Sequence, residues 1–208
     1  MDWFSRGGIL MLPIIVLSVI ALTVFLERLW VLRKSQILPQ EALKKFETLL
    51  RKNKVLEARQ ACHQMGSPIA RILLAALQHP EAPRAIMKEN MEERGKAEAL
   101  ELKKHLGLLQ TIASICPLIG LLGTVSGMIK VFDTLALEGA GNPAAFAGGI
   151  SVALITTATG LSVAIPAFLC HRYLVIRAEL FIHMLEEFAT YLLNLIPENK
   201  SGAGREEQ

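Results

Sequence analysis

The sequence predicts an all-α integral membrane protein: three transmembrane helices with long helical extensions into the cytoplasm. Three observations carry this expectation. Of 208 residues, 52% are hydrophobic and the mean hydropathy is +0.40, which is too apolar for a soluble domain that must cover its own core. Gly7–Leu26, Leu106–Ile129 and Gly139–Cys170 contain no Asp, Glu, Lys or Arg, and each is at least as long as the ~20 residues that cross ~30 Å of hydrocarbon as a helix. Between and after these runs, apolar residues recur at steps of three and four, the helical period.

The first run is too long for a cleavable signal, Arg6 is the only cation before it, and no small-residue cleavage site lies before Glu27 and Arg28. It reads as an anchor, with Glu27 and Arg28 at its inner end either snorkelling or pairing with each other. Cations gather beside the cytoplasmic ends of spans. Arg33 and Lys34 follow span 1, Lys103 and Lys104 precede span 2, and His171, Arg172 and Arg177 follow span 3, whereas Asp133–Ala147 has no Lys or Arg. The expected layout is therefore a periplasmic N-terminus and first span (1–32), a cytoplasmic helical segment (33–105), and a second span (106–132). A short periplasmic loop (133–147), a third span (148–174) and a cytoplasmic helical tail (175–208) complete it.

In the cytoplasmic segment, Leu43, Phe46, Leu49 and Leu50, then Ile69, Ile72, Leu73 and Ala76, mark two helix faces. Pro39 opens the first helix and Asn53 interrupts it. Gly66-Ser67-Pro68 ends one helix and starts another, with Ser67 as N-cap and Pro68 at the first position. Pro80 and Pro83 bracket a further turn. From Arg84 no proline appears until Pro117, Glu92 and Lys96 are spaced as an i,i+4 pair, and a single helix is expected to run from the cytoplasm into span 2. Asn142 and Pro143 suit the start of span 3, so that Gly139–Gly149 is either mostly outer loop or the protruding end of the helix. The tail carries an amphipathic stretch, Leu174–Leu195, before the polar “PENKSGAGREEQ”.

Spans 2 and 3 differ from span 1 in kind. Gly123-x-x-x-Gly127 places two small residues on one helix face, where backbones can approach closely. Gly149, Ala153, Thr157, Gly160, Ala164 and Phe168 form a mostly small stripe on span 3. Hydroxyls accompany them: Thr124 and Ser126 on span 2; Thr156, Thr157, Thr159 and Ser162 on span 3. An isolated Thr bonds back to its own helix, but several on facing helices can line a passage. Hydroxyls do not titrate near neutral pH, and no span carries an ionisable group at its middle. If the assembly moves protons, the titrating carboxylate comes from another chain.

Enzyme chemistry and cofactors find no support. The Gly120–Gly127 glycines lack the Gly-Lys-Ser/Thr of a phosphate loop, Cys62-His63 stands without further metal ligands, and Cys62, Cys116 and Cys170 are unpaired in spacing and read as packing residues. Residues 33–105 hold fifteen Lys/Arg against nine Asp/Glu, interspersed as on a solvated face beneath an anionic membrane rather than clustered for nucleic acid. Lys130 and Asp133 mark the outer interface, and His105 and His171 read as inner interfacial anchors.

“CPLIGLLGTVSGMIKVF” (Cys116–Phe132) followed by “GGISVALITTATGLSVAIPAFLCHRYL” (Gly148–Leu174) resembles the paired signature of the ExbB/TolQ/MotA proton-channel family, closest to the ExbB/TolQ branch. The order of elements agrees along nearly the whole chain. The resemblance implies a subunit of a bacterial inner-membrane motor, in which a homo-oligomeric, pentameric ring of second and third spans surrounds an ExbD/TolR-like single-span partner. That partner supplies a transmembrane aspartate, and a TonB-like or TolA-like protein receives the work. It also implies that Thr124 and Thr157 meet the aspartate. Thr156 adds a further candidate hydroxyl for the ion pathway but projects about 100° away around the helix, so that it either faces a neighbouring subunit or, like Thr159 and Ser162, serves packing. Pro117 and Pro166 would shape the spans, and Gly120, Gly123, Gly127 and Gly160 would pack them. One departure stands out: “GISVAL” has Val152 where some members read “GIAEAL”, so a mechanism needing a carboxylate from the ring does not apply.

Two functions follow: a proton-driven stator energising TonB-dependent uptake or Tol-type envelope maintenance, with protons favoured over sodium because no cation cage is built, or a non-conducting transmembrane scaffold. A neighbouring reading frame encoding one N-terminal span with a single aspartate is expected for the motor; sequencing the flanking DNA and finding none would favour the scaffold.

Overall fold

A computed structural model describes residues 8–138 and 143–196; Arg6, the Asn142 cap and the polar tail from 197 lie outside them. Among the described residues every regular element is a helix: α1 (Met11–Val31), α2 (Lys34–Ile37), α3 (Gln40–Arg51), α4 (Val55–Met65), α5 (Pro68–Leu77), α6 (Arg84–Lys103), α7 (Leu106–Glu138) and α8 (Pro143–Leu195). Three stretches, Met11–Val31, Arg84–Leu137 and Phe146–Leu195, are long and apolar enough to cross a membrane. The chain divides into two compact units, Met1–Arg28 with His105–Leu174, and Leu29–Lys104 with Val175–Gln208.

The first unit holds the apolar runs. Met11, Ile14, Ala21 and Val24 of α1, Leu109, Ile112 and Cys116 of α7, and Ala153, Ala164 and Ala167 of α8 are buried, each set at steps of three, four, seven or eleven. Leu12, Val19 and Leu22, then Leu118, Leu121 and Leu122, then Leu154, Ile165 and Leu169 are exposed. In water that surface would cost roughly 25 cal/mol per Å²; facing acyl chains it costs little. Pro117 and Pro166 lie inside continuous helices, each removing one donor and releasing the carbonyl four residues earlier.

The helix limits differ from those expected in three places. The single helix into span 2 is interrupted, with α6 closing at Lys103 and α7 opening at Leu106. Between them Lys104 has ψ 144 and His105 φ 61, which no α-helix tolerates. The stretch assigned to the loop between spans 2 and 3 is largely helical, since α7 continues through Glu138 and α8 starts at Pro143. Span 3 and the amphipathic tail are one 53-residue helix.

In the second unit α5 is central because almost every side chain of “PIARILLAAL” is apolar: Ile69, Ala70, Ile72, Leu73, Ala76 and Leu77 are all buried. It packs on α2, α4 and α6. Gly66, at φ 58, turns the chain out of α4, and Pro68 begins α5. Ser67 occupies the N-cap position but its hydroxyl makes no cap bond and is buried without a partner. Asn53, at φ 56, ends the α3 turn. Arg177 of α8 donates from Nε to the Leu32 carbonyl (2.8 Å), closing a chain end that follows α1. Tyr191 donates to Glu47 Oε1 (2.7 Å) and accepts from Arg51 (3.1 Å), and the Tyr191 bond, more than Arg51, holds the Glu47 carboxyl below its ordinary range.

One carboxylate is taken out of water. Glu98 is 3% exposed and is gripped by Arg71, whose Nε donates at 2.7 Å and whose Nη2 holds the other oxygen, and by Arg94 at 2.7 Å. Arg71 also donates to the Gly66 carbonyl (2.6 Å), so one guanidinium binds α6 to the α4–α5 turn. Glu92 pairs with Lys88 (3.6 Å) rather than with Lys96. Nearby, burial pushes the Cys62 thiol up to about 12, leaving little thiolate to react.

That thiol reports on the unit that encloses it. Arg71→Ala is expected to cost about 2 kcal/mol, less than a wholly buried pair because both arginines reach water. Maleimide labelling of Cys62 in the intact chain, read by peptide mapping across a urea series, should show the variant opening at lower urea than the parent. Identical midpoints would remove the stabilising role given to Arg71.

Candidate functional site

Helices α7 and α8 meet through their smallest residues, running antiparallel. A Cβ placed on Gly160 would lie 2.6 Å from the Cys116 carbonyl oxygen and 3.2 Å from Gly120 Cα; on Gly120 it would lie 3.0 Å from Thr157 Cα. On Gly123 it would lie 2.6 Å from Thr156 Cβ, and on Gly127 2.8 Å from Ala153 Cβ and 2.9 Å from the Gly149 carbonyl oxygen. Gly149 in turn faces the Val131 side chain. Real Cβ atoms do not come closer than 3.0 Å and seldom come within 3.4 Å, so these glycines set the separation of the two backbones.

The hydroxyls divide by partner. Thr157 donates across the interface to the Gly120 carbonyl (2.8 Å), reachable because Gly120 has no side chain. Regular α-helical bonding directs the Thr124 amide to that same carbonyl, so the backbone of one candidate threonine and the hydroxyl of the other converge on one oxygen. Thr124, half-buried, turns its own hydroxyl to the Leu121 carbonyl (2.7 Å). Thr156 donates to the Val152 carbonyl (2.7 Å), Thr159 to Ile155 (2.8 Å) and Ser162 to Ala158 (2.8 Å).

Two expectations change. Thr156 does not face outward toward a neighbouring subunit: it is 0% exposed, its methyl group pressed on Gly123. The packing stripe of α8 is Gly149, Ala153, Thr156 and Gly160, continuing to Ala164 and Ala167, while Phe168 is 58% exposed. Reading steps of three and four from Ala153 admits either Thr156 or Thr157, and only the facing glycines decide. Sequence reasoning also missed Val131 and the Cys116 carbonyl; the small-residue pattern, carried outward past Gly127, would have led to Val131. Pro117 lies one residue from Cys116, and Pro166 between the buried Ala164 and Ala167. No group of three or more His, Cys, Asp or Glu that could hold a metal occurs among the described residues.

Comparison with known proteins adds the following. Residues 64–187 match the MotA/TolQ/ExbB proton channel family. The chain is 36% identical over 183 residues to the ExbB-like biopolymer transport protein 1 of Synechocystis sp., covering 84% of this chain and 70% of that protein. It is 31% identical to an ExbB homolog of Methanothermobacter thermautotrophicus, covering 89% and 66%, and 38% identical to the Tol-Pal system protein TolQ of Haemophilus influenzae, covering 55% and 53%. The chain thus spans about two thirds of the first two relatives.

The interface makes a graded prediction. Gly160→Ala and Gly127→Ala, whose new methyls meet main-chain oxygen, are each expected to destabilise the chain by about 1–3 kcal/mol, seen as a lower midpoint of SDS-induced unfolding. Gly107→Ala, with nothing within 4 Å of the added carbon, should be neutral or slightly stabilising. Three equal midpoints would refute the assigned contact.

Proposed function

The chain belongs to the MotA/TolQ/ExbB proton channel family, a channel family rather than an enzyme family, and from that premise we propose that it is the proton-channel, stator subunit of an inner-membrane motor. The motor converts proton-motive force into mechanical work on a periplasmic or outer-membrane process, either TonB-dependent uptake or Tol-type envelope maintenance. The relatives' names, biopolymer transport protein and Tol-Pal system protein, favour such an energy-transducing role, and the three long apolar helices make the chain a multi-pass membrane protein. The reading takes the N-terminus as periplasmic, the 33–105 segment and the C-terminus as cytoplasmic, and the assembly as a homo-oligomer, a pentameric ring.

The single observation that carries the mechanism is the donor accounting of Thr124 and Thr157. Each hydroxyl has one proton, and both protons are already given to carbonyls of the chain. What remains on each oxygen is acceptor capacity. Such a pair receives a hydrogen bond from a neutral carboxylic acid or a water, and offers nothing to a bare carboxylate. Because α7 and α8 have no Asp, Glu, His, Lys or Arg between Leu106 and Ile129 or between Pro143 and Cys170, the titrating acid belongs to an ExbD/TolR-like single-span partner. Acceptors favour its protonated form and raise its pKa. The acid can then pick up a proton at the threonines and release it on moving away. Thr156, buried against Gly123, serves packing in this reading, and Thr124 and Thr157 form the ion pathway. A TonB-like or TolA-like protein would take up the work.

Thr157→Val and Thr124→Val test this in liposomes holding the chain with its partner. Each keeps the shape and removes the acceptor; a loss of one neutral hydrogen bond of about 0.5–1.5 kcal/mol corresponds to roughly a two- to tenfold drop in proton flux. Flux equal to the parent in both variants would sink the assignment of these two residues, whereas absence of partner-dependent flux in the parent itself would favour a non-conducting scaffold.

A further inference from the structure

The inner end of the first unit holds a charge cluster that the channel reading leaves unused. Helix α1 carries Glu27 and Arg28 in its last turns, and His105 immediately precedes α7. The Nδ1 of His105 lies 3.2 Å from Nη2 of Arg28 and 3.3 Å from Oε2 of Glu27, and Arg28 meets Glu27 at 3.4 Å. The Arg28 side chain is 4% exposed, against 44% for Glu27 and 43% for His105. The cation is therefore fixed inside, while the carboxylate and the imidazole reach water. His105 also sits at φ 61, a left-handed conformation that a non-glycine residue keeps only where its surroundings hold it.

One ring nitrogen cannot serve both neighbours at once. Arginine only donates, so Arg28 requires a bare Nδ1; a carboxylate only accepts, so Glu27 requires a proton there. We infer that His105 is a two-position switch read by the pH at that end of α7. With Nδ1 bare, it accepts from Arg28 and ties the start of α7 to α1. As an imidazolium, it donates to Glu27 and turns from Arg28, beside which its charge is repelled.

Among the described residues, Glu27 and Arg28 face it from α1; Lys103 and Lys104 precede it in the chain, Lys104 being engaged with Glu101 at 3.4 Å; Leu106, which follows, is apolar and buried; and α8, antiparallel to α7, carries His171 and Arg172 at the same end. With Nδ1 bare the Glu27, Arg28 and His105 trio is neutral, and protonation leaves it with a net positive charge. On the channel reading, whose orientation puts this end at the cytoplasm, protons accumulating inside would charge the trio. The added field would oppose further cations there.

Two measurements test the switch, the first independent of any channel activity. In the full chain alone, in lipid nanodiscs with 15N-labelled histidine, the Nδ1 signal of His105 should change from acceptor type to protonated type as the sample is acidified. Glu27→Gln, which removes the acceptor of the protonated form, should shift that change to lower pH. A signal that keeps one signature across the range, or that titrates identically in Glu27→Gln, overturns the proposal. The second uses the chain with its partner in liposomes at a constant pH difference. Flux should fall about twofold or more on acidifying the inner side, in line with one added charge near the path. His105→Asn, uncharged and tolerant of positive φ, should lose that dependence. Equal dependence in parent and variant overturns the regulatory role. Absence of flux from both speaks against the channel reading instead, and the nitrogen signal then decides the switch by itself.

Discussion

Everything in the membrane unit depends on how closely two backbones can approach. In lipid there is no hydrophobic gain from bringing one apolar helix against another, so association rests on dispersion and on hydrogen bonds made at short range. The glycines at 120, 123, 127, 149 and 160 remove the side chains that would hold α7 and α8 apart. Only at that separation does the Thr157 hydroxyl reach a carbonyl on the other helix. Packing and chemistry are thus one feature: a methyl added to Gly120 would both separate the helices and cover the oxygen that orients Thr157.

The second unit solves a different problem. Its helices are short, between four and twenty residues from α2 to α6, and short helices are unstable without tertiary contacts. The apolar α5 provides a core, and Arg71 adds direction, tying a buried carboxylate on α6 to the main chain of the α4–α5 turn. A hydrophobic core alone tolerates sliding; a guanidinium bound on three sides fixes register as well.

The architecture was legible because its signals are periodic and local. Charge-free runs mark the spans, Gly66 and Pro68 mark a turn, and Ile69, Ile72, Leu73 and Ala76 mark a face that is indeed buried. Less legible features depended on partners far along the chain. Thr156 and Thr157 are equivalent as residues, and their exchange of roles is decided by glycines more than thirty positions earlier. The Lys104–His105 break has no Gly or Pro to announce it; the side chains of Glu27 and Arg28, 77 or 78 residues away, meet the imidazole there. Glu98 likewise looks like one more surface charge on a polar helix until Arg71, 27 residues before it, closes over it.

The inward-turned hydroxyls have one more consequence. Thr111, Ser114, Thr124, Thr157, Thr159 and Ser162 all give their protons to main-chain carbonyls of the same chain. A halide or a phosphate sheds water only where donors replace it, and these six positions offer lone pairs alone. Where the two helices bordered a wet passage, these six oxygens would give an anion no hydrogen bond, without placing a negative charge in the bilayer.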